Sequence, residues 1–418
     1  MVWIYRLVLW VVDGLLPIAS LFSSKLALFV KGRKGLFEKL QKFRESNEGK
    51  LVWFHVASLG EFEQAKPLIH LWKQKQSEIR ILVSFFSPSG YDPVVKRNDR
   101  DLDGVIYLPL DRVRYVKRFL DILRPDLVFF VKYDLWYHFL KELSYRQIPL
   151  FLISASFRKD QVYFKRRGFF RKPLFYFDHI FTQNEQSGEL LSNIGISSFS
   201  KVGDTRFDRV AETANSPQDF PQIKSWLGDK KAIVLGSVWE EDMEILIPLI
   251  NSHPEYNWLI APHSMNREPM ENWKGKIGLS IQFYTKWDSS QAASVLIIDT
   301  IGMLSSLYQF AYFAYVGGAF GAGLHNILEP IGFGVPVIFG KVRKAGKFPE
   351  ALEAVEKGCG FEVKDQEQLK EIVDRLGTLD FYSHSQDAAK KWVQSNLGAA
   401  KKIYELTSKL QRNERESH

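Results

Sequence analysis

Several short stretches carry side chains that could do chemistry. In "FHVASLGEFEQAKPLI" (54–69), an apolar run ends in Ser58 and Gly60 and then presents Glu61 where a helix should begin. In "YVGGAFGAGLHNILEPIGFGVPVIFG" (315–340), a strand gives way to Gly317, Gly318, Gly321 and Gly323, and His325, Asn326 and Glu329 follow at an expected helix start. Glycines let a backbone pass close to a ligand, and N–H groups at a helix start attract phosphate. Three further strand exits hold Ser237 in "LGSVWEED", Pro262 and His263 in "APHSMN", and Asp299 and Gly302 in "DTIGML". Alone, each reads as a capped helix start; converging at one cleft, they favour a nucleotide. "GGAFGAG" lacks the G-x-G-x-x-G spacing of the dinucleotide fingerprint, and the chain has no P-loop. Glu61 alone reads as a first-turn carboxylate set against the helix dipole, worth about 0.3–1 kcal/mol. His325 fits a satisfied core histidine as well as a ligand contact, and Trp136 fits packing.

The elements that must position these residues repeat twice. Strands are expected at 50–58, 79–86, 104–110, 125–132, 148–156 and 179–184, with amphipathic segments between most of them. The stretch 212–231 is polar and proline-containing and reads as a linker. The pattern resumes at 232–237, 256–263, 294–300, 310–318 and 335–340. Continuous apolar runs joined by helical crossovers indicate parallel sheets covered on both faces. The expectation is an α/β protein of two doubly wound halves facing a cleft, with ligands beyond the carboxyl ends of the strands. The domains are expected at 35–211 and 232–384, with an anchor at 1–34 and a helical segment at 385–418 that could pack back on both.

Length and charge narrow the class. The chain has 418 residues, one cysteine, Cys359, and nine scattered histidines, so neither a disulfide framework nor a metal held by protein ligands is expected. The net charge of +8 is uneven. The segment 157–173 holds Arg158, Lys165, Arg166 and Arg167 among aromatics, a mixture that suits an anionic amphiphile or membrane surface, a nucleic acid, or a solvated face with its aromatics in the core. Residues 1–30 are mostly apolar, with Trp3, Tyr5 and Trp10, and Lys31, Arg33 and Lys34 follow. This reads as an uncleaved anchor lying in or dipping into the cytoplasmic leaflet; a single span is the alternative.

Taken together, "FHVASLGE", "SPSG" (87–90), "DLW" (134–136), "GDTRFD" (203–208), "DTIG" and the 315–340 block resemble the Kdo transferases of lipopolysaccharide assembly. These enzymes move 3-deoxy-D-manno-oct-2-ulosonic acid (Kdo) from CMP-Kdo to lipid A precursor. The resemblance runs from the anchor to about residue 365, and the motifs fall in the same order. It implies the GT-B fold, inverting transfer with no metal or other cofactor, and a place on the cytoplasmic face of the bacterial inner membrane, with no nucleic-acid partner. Glu61 then corresponds to the catalytic base. On the acceptor side stand Ser58, Ser89, Gly90, Lys132, Asp134, Arg158 and the basic cluster 165–167. Gly60, Ser237, Pro262, His263, Asp299, Gly302, Gly317, Gly318, Gly321, His325, Asn326 and Glu329 fall to the donor. The sequence departs from the family at His263, where an arginine is usual. It departs again at Lys132-Tyr133-Asp134, where E-x-E is usual, and at Ser154-Ala155-Ser156, where Asn-Ala-Arg is usual. Arg158 is a possible compensation. The competing readings are another GT-B nucleotide-sugar transferase or epimerase using a UDP-sugar, and a non-enzymatic basic scaffold.

Overall fold

The structure is a computed structural model. It describes every residue except 167, 322, 344–346, 417 and 418, and of residues 410–416 only the backbone. The chain divides into two compact units, Met1–Arg209 with Gly398–His418, and Val210–Leu397.

Unit 1 contains β1 (Leu51–Val56), β2 (Arg80–Phe85), β3 (Gly104–Tyr107), β4 (Leu127–Val131), β5 (Leu150–Ala155), β6 (His179–Thr182) and β7 (Phe199–Lys201). They form one sheet in the order β3-β2-β1-β4-β5-β6-β7, every pair parallel. Unit 2 contains β8 (Ala232–Val238), β9 (Asn257–Pro262), β10 (Ile281–Phe283), β11 (Val295–Ile297), β12 (Ala311–Val316), β13 (Val337–Gly340) and β14 (Gly360–Val363). Their order is β10-β11-β9-β8-β12-β13-β14, again all parallel.

Each sheet is buried on both faces, which is why its strands read as unbroken apolar runs. On β1, Leu51 and Trp53 join one core, while Val52, Phe54 and Val56 join the other. The order of strands reverses between β1 and β4 in unit 1 and between β8 and β12 in unit 2. At such a reversal the crossovers diverge to opposite faces and leave a crevice at the strand exits. The sequence motifs lie beside these two points.

Three strands lie outside the sequence expectation: β7, β10 and β14. All three are edge strands of three or four residues. Segments that short carry no usable periodicity. The stretch 212–231 is partly helical, holding the end of the helix Thr205–Asn215 and the helix Pro221–Leu227. Ile223 and Leu227 are buried there, and Trp226 donates its indole N–H to Ala293 O at 2.7 Å, so this segment packs as part of unit 2. The C-terminal region divides. The helix Leu379–Ser395 belongs to unit 2, and Ala399–Glu416 returns to unit 1. There the Asp208 carboxylate accepts from Gly398 N and Ala400 N, and Tyr404 packs edge-on against Trp72.

Among the described residues one helix, Val2–Ala19, is long and apolar enough to cross a membrane. Trp3, Leu7, Trp10 and Leu15 stand exposed on it. Its inner side is tied to unit 1 by Tyr5 Oη donating to Asp111 Oδ2 at 2.7 Å and by an ion pair of Asp13 with Arg112. Arg33 differs from its expected place in a surface basic cluster. Its guanidinium sits over the Phe29 ring and donates to Leu108 O and Phe86 O, and burial holds it down at about 9.

Candidate active site

In unit 1, the exit of β1 runs through Ala57 into Ser58, the N-cap of the helix Leu59–Lys75. The Ser58 side chain makes no capping hydrogen bond. Glu61, in the first turn, turns back so that Oε2 accepts from Ala57 N at 2.6 Å. Oε1 accepts no hydrogen bond among the described residues. Read as a helix-start carboxylate, Glu61 should stay readily ionised. Instead burial raises its pKa, and the Asp134 charge adds to that rise, against the Ala57 N–H, Lys132 and His55. One hydrogen bond and a helix start do not outweigh desolvation.

The "SPSG" turn stands against this one. Ser87 caps the helix Pro88–Arg97, and its hydroxyl lies 2.8 Å from that of Ser89. A Cβ on Gly90 would stand 2.8 Å from Leu59 N and 2.7 Å from the Phe85 ring. Glycine at 90 therefore lets the two helix starts meet, and only a residue without a side chain fits.

Across the switch point, the exit of β4 bears Lys132, Tyr133 and Asp134. Lys132 has a left-handed backbone, φ 60°, as does Ser154 near the end of the adjacent β5, φ 55°. Non-glycine residues adopt that conformation at a cost of about 1–3 kcal/mol, which the surrounding packing must hold. Asp134 Oδ2 lies 2.6 Å from His55 Nε2. Burial raises the pKa of Tyr133, against the neighbouring Arg158 and Ser156, and the Glu61 charge adds to that rise. Glu61, Lys132, Asp134 and Arg158 are thus one local group, together with Tyr133 and His55, which the motif reading passed over. A polar histidine inside an apolar strand was the signal for the latter.

The basic segment separates. Phe157 is buried, and Phe164 and Tyr163 pack against the same core. Phe169 packs on Tyr137 and Tyr5. Lys165 and Arg166 are exposed, and Arg167 lies outside the described residues. Trp136 packs on Phe86 with ring centroids 4.6 Å apart.

In unit 2, the glycine-rich segment leaves β12 at the second switch point. Gly317 is in direct contact with the exit of β8: a Cβ would stand 2.5 Å from Asp242 Oδ2 and 2.6 Å from Ser237 O. The glycines were expected to let the backbone pass close to a ligand, with the helix-start N–H groups facing phosphate. The amides of the loop itself have other partners: Gly317 N donates to Gly236 O, Gly318 N to Asp242 Oδ2, and Gly321 N and Gly323 N to Gly318 O. The helix starts at Leu328, later than His325–Asn326, because Asn326 Oδ1 accepts from Leu328 N. Asn326 Nδ2 also donates to Glu329 Oε1 at 3.2 Å.

Asp242 is the residue of this region that motif reading missed. Wholly buried, it accepts from Trp239 N, Gly318 N and Tyr315 Oη, each at 2.9 Å. It fastens the β8 exit to the loop after β12. An acidic residue three positions after a strand exit was its only mark in the sequence. Above it, Trp239 stacks on His263, with ring centroids 4.1 Å apart, and donates to His325 Nε2 at 3.1 Å. Burial lowers the pKa of His263; burial and the neighbouring His263 bring His325 down to about 4. Both imidazoles are neutral at pH 7, so His263 offers a ring and hydrogen bonds where a family arginine would offer charge. Ser237 has a left-handed backbone, φ 53°, and Gly302 one of 98°. Pro262 is the last residue of β9. Asp299 is engaged by Arg267 at 2.9 Å and by Thr285 N and Oγ1; it braces the loop after β10.

Two parallel seven-stranded sheets, each doubly wound and carrying its polar residues at the switch-point exits, are the architecture of the GT-B fold. Solved structures agree on the fold. A UDP-GlcNAc 2-epimerase from Methanocaldococcus jannaschii is 14% identical with a TM-score of 0.55, covering 84% of this chain and 100% of that one. A glycosyltransferase from Rickettsia africae is 12% identical with a TM-score of 0.55, covering 88% and 100%. The family model "3-Deoxy-D-manno-octulosonic-acid transferase (kdotransferase)" matches residues 33–209. The 3-deoxy-D-manno-octulosonic acid transferase of Chlamydia trachomatis serovar A is 30% identical over 352 residues, 81% of this chain and 80% of its own. That of Rickettsia felis is 28% identical over 299 residues, 69% and 64%. The chain belongs to the Kdo transferase family.

Proposed function

We propose that this enzyme transfers Kdo from CMP-Kdo to a sugar hydroxyl of lipid A precursor, with Glu61 as general base. The observation that carries this reading is the Glu61 carboxylate at the β1 exit: one oxygen is held by Ala57 N–H, the other is open, and its proton affinity is raised by burial and Asp134. A sugar hydroxyl is a very weak acid, and a base of raised proton affinity accepts its proton more readily as the new bond forms. The acceptor oxygen attacks the anomeric carbon of Kdo, and its proton passes to Glu61. The bond from that carbon to the phosphate oxygen breaks, and CMP leaves with the electron pair. A single displacement inverts the anomeric centre.

On the donor side, Asn326 and Glu329 are placed to take the ribose hydroxyls, beside the close-packed Gly317–Gly318 turn. Ser237, Gly302 and the Trp239–His263–His325 stack complete the nucleotide's surroundings. On the acceptor side, Lys132 and Asp134 act on the base, Ser58, Ser89 and Arg158 contact the acceptor, and Lys165 and Arg166 offer charge to lipid phosphates. Protein groups alone carry the transfer, and chelator is expected to leave it unchanged. The exposed apolar side of Val2–Ala19, with Trp3 and Trp10 outward, supports docking on the cytoplasmic face of the inner membrane.

Mass spectrometry of lipid products from purified enzyme, CMP-Kdo and lipid A precursor tests the reading. A mass increment of Kdo supports it. No increment, with turnover or binding of UDP-sugars in preference to CMP, overturns it.

A further inference from the structure

We propose that His55 is a positioning residue of the transfer reaction: through its bond to Asp134 it fixes a second carboxylate beside Glu61. The inference rests on Glu61 being the base.

His55 is completely buried near the carboxyl end of β1, a strand otherwise apolar. Its ring bridges two partners, with Nδ1 2.9 Å from Ser84 Oγ and Nε2 2.6 Å from Asp134 Oδ2. Ser84, on the neighbouring β2, is itself pinned: Trp53 Nε1, which can only donate, gives its hydrogen to Ser84 Oγ at 2.8 Å. With that lone pair occupied, the serine proton is free to point at His55 Nδ1. Nδ1 then accepts, Nε2 carries the hydrogen, and the neutral imidazole donates it to Asp134. Every polar atom of the His55 ring and the Ser84 hydroxyl then has a partner.

The relay runs from the core to the reacting centre. Trp53, Ser84 and His55 are wholly buried, and Asp134 at its end is partly open, with a side-chain exposure of 17%. The groups that face Glu61 are Ala57 N–H, Asp134, Lys132 and His55, with Tyr133 beyond them. Those that face Asp134 besides His55 are Tyr5 of the N-terminal helix and Tyr163. Of the groups around Glu61, Asp134 is the acid that opposes its ionisation. Holding that charge in place makes Glu61 a stronger base, and letting it swing away weakens the base and loosens the acceptor's surroundings.

Two amide replacements separate positioning from folding. In His55→Gln the side-chain nitrogen falls near the place of Nε2 and can donate to Asp134. In His55→Asn it reaches only as far as Ser84. Both are buried polar amides, so a purely structural histidine would tolerate them about equally. We expect His55→Asn to lower kcat by on the order of 10- to 100-fold, the range for a misplaced catalytic environment, and His55→Gln to recover most of it. The acid limb of the kcat–pH profile should move to lower pH in both His55→Asn, which lets the Asp134 charge swing away from Glu61, and Asp134→Asn, which removes it. The double variant should fall no further than the worse single one. Equal kcat and unmoved limbs in the Gln and Asn variants, or losses that multiply in the double variant, overturn the proposal. Full transfer by Glu61→Gln would instead overturn the base assignment, whatever the His55 variants do.

Discussion

Asp242 allows a prediction whose size follows from its bonds. Its carboxylate is completely buried and receives three donors, Trp239 N and Gly318 N on Oδ2 and Tyr315 Oη on Oδ1. In Asp242→Ala all three lose their acceptor. A buried donor left without a partner costs about 1–3 kcal/mol, and loss of an N-terminal cap adds about 1 kcal/mol. Rotation of the tyrosine hydroxyl and water entering the vacated space reduce the sum, leaving about 3–5 kcal/mol. For a unit of this size, each kcal/mol lowers the midpoint by about 2–4 °C, so unit 2 should unfold about 6–20 °C earlier. Asp242→Asn should behave otherwise. Its oxygen can stay on the two backbone N–H groups, and its amide can donate to Tyr315, whose hydroxyl then accepts. All three contacts survive, and the change should stay within about 1 kcal/mol. Burial raises the Asp242 pKa despite its donors. A raised value means the folded state holds its proton longer, so wild-type unit 2 loses stability as pH climbs from about 4 through the folded value. The asparagine variant has no such slope and should gain on wild type as pH rises. Calorimetric scans of the full chain at several pH values, with CMP titrations on the folded variants, read both effects. An Asn variant as damaged as the Ala variant, or an Ala variant within 1 kcal/mol of wild type, would refute the hydrogen-bond account.

Glu61→Gln should lower transfer by about 10²- to 10⁴-fold, the usual worth of a general base, while calorimetry finds CMP binding unchanged. Because burial and Asp134 raise the pKa of Glu61, the wild-type kcat should fall with decreasing pH at values above the ordinary carboxylate range, and steady-state rates against pH measure that limb. Gly90→Ala drives a Cβ to 2.8 Å from Leu59 N, and denaturant melts should show a loss of about 1–3 kcal/mol. His325 is held down to about 4 in the folded state, so the unfolded chain binds the proton first as pH falls below about 6.5. Unit 2 should therefore lose stability between about 6.5 and 4, and His325→Phe should flatten that slope in the same scans.

The sheets were legible in the sequence because both faces of each are covered. Strands such as β1 and β4 lie wholly in the cores, and unbroken apolar runs such as "LVWFHV" and "LVFFV" mark them without any alternation to decode. Short edge strands such as "FSK" gave no such signal. The candidate site was legible where its residues follow a strand exit in sequence, as the proposed Glu61, Gly318 and Asn326 do. It was not legible where function depends on burial. The macrodipole suggested a readily ionised Glu61, but desolvation outweighs it, and sequence does not show how deep a side chain sits. The glycine-rich loop read as a place of close backbone approach, and its internal bonds to Gly318 O and Asp242 became visible only in three dimensions. His55 and Ser84 lie 29 positions apart on neighbouring strands, a pairing that only the parallel register brings about.

The acidic residues around the strand exits sort themselves by the donors that each has collected. Asp242 holds three, and Asp299 holds Thr285 N, Thr285 Oγ1 and the Arg267 guanidinium. A carboxylate so supplied has no open lone pair directed at a substrate, and moving a proton to it would break bonds that hold loops together. Such residues serve architecture even where they sit in a motif. Glu61 has one donor on one oxygen, and Asp134 has His55. Those two retain capacity, they lie on either side of the β1–β4 switch point, and the Asp134 charge raises the affinity of Glu61 for a proton. On the proposed reading, acid–base chemistry falls to this under-supplied pair, while Asp242 and Asp299 hold their loops in place.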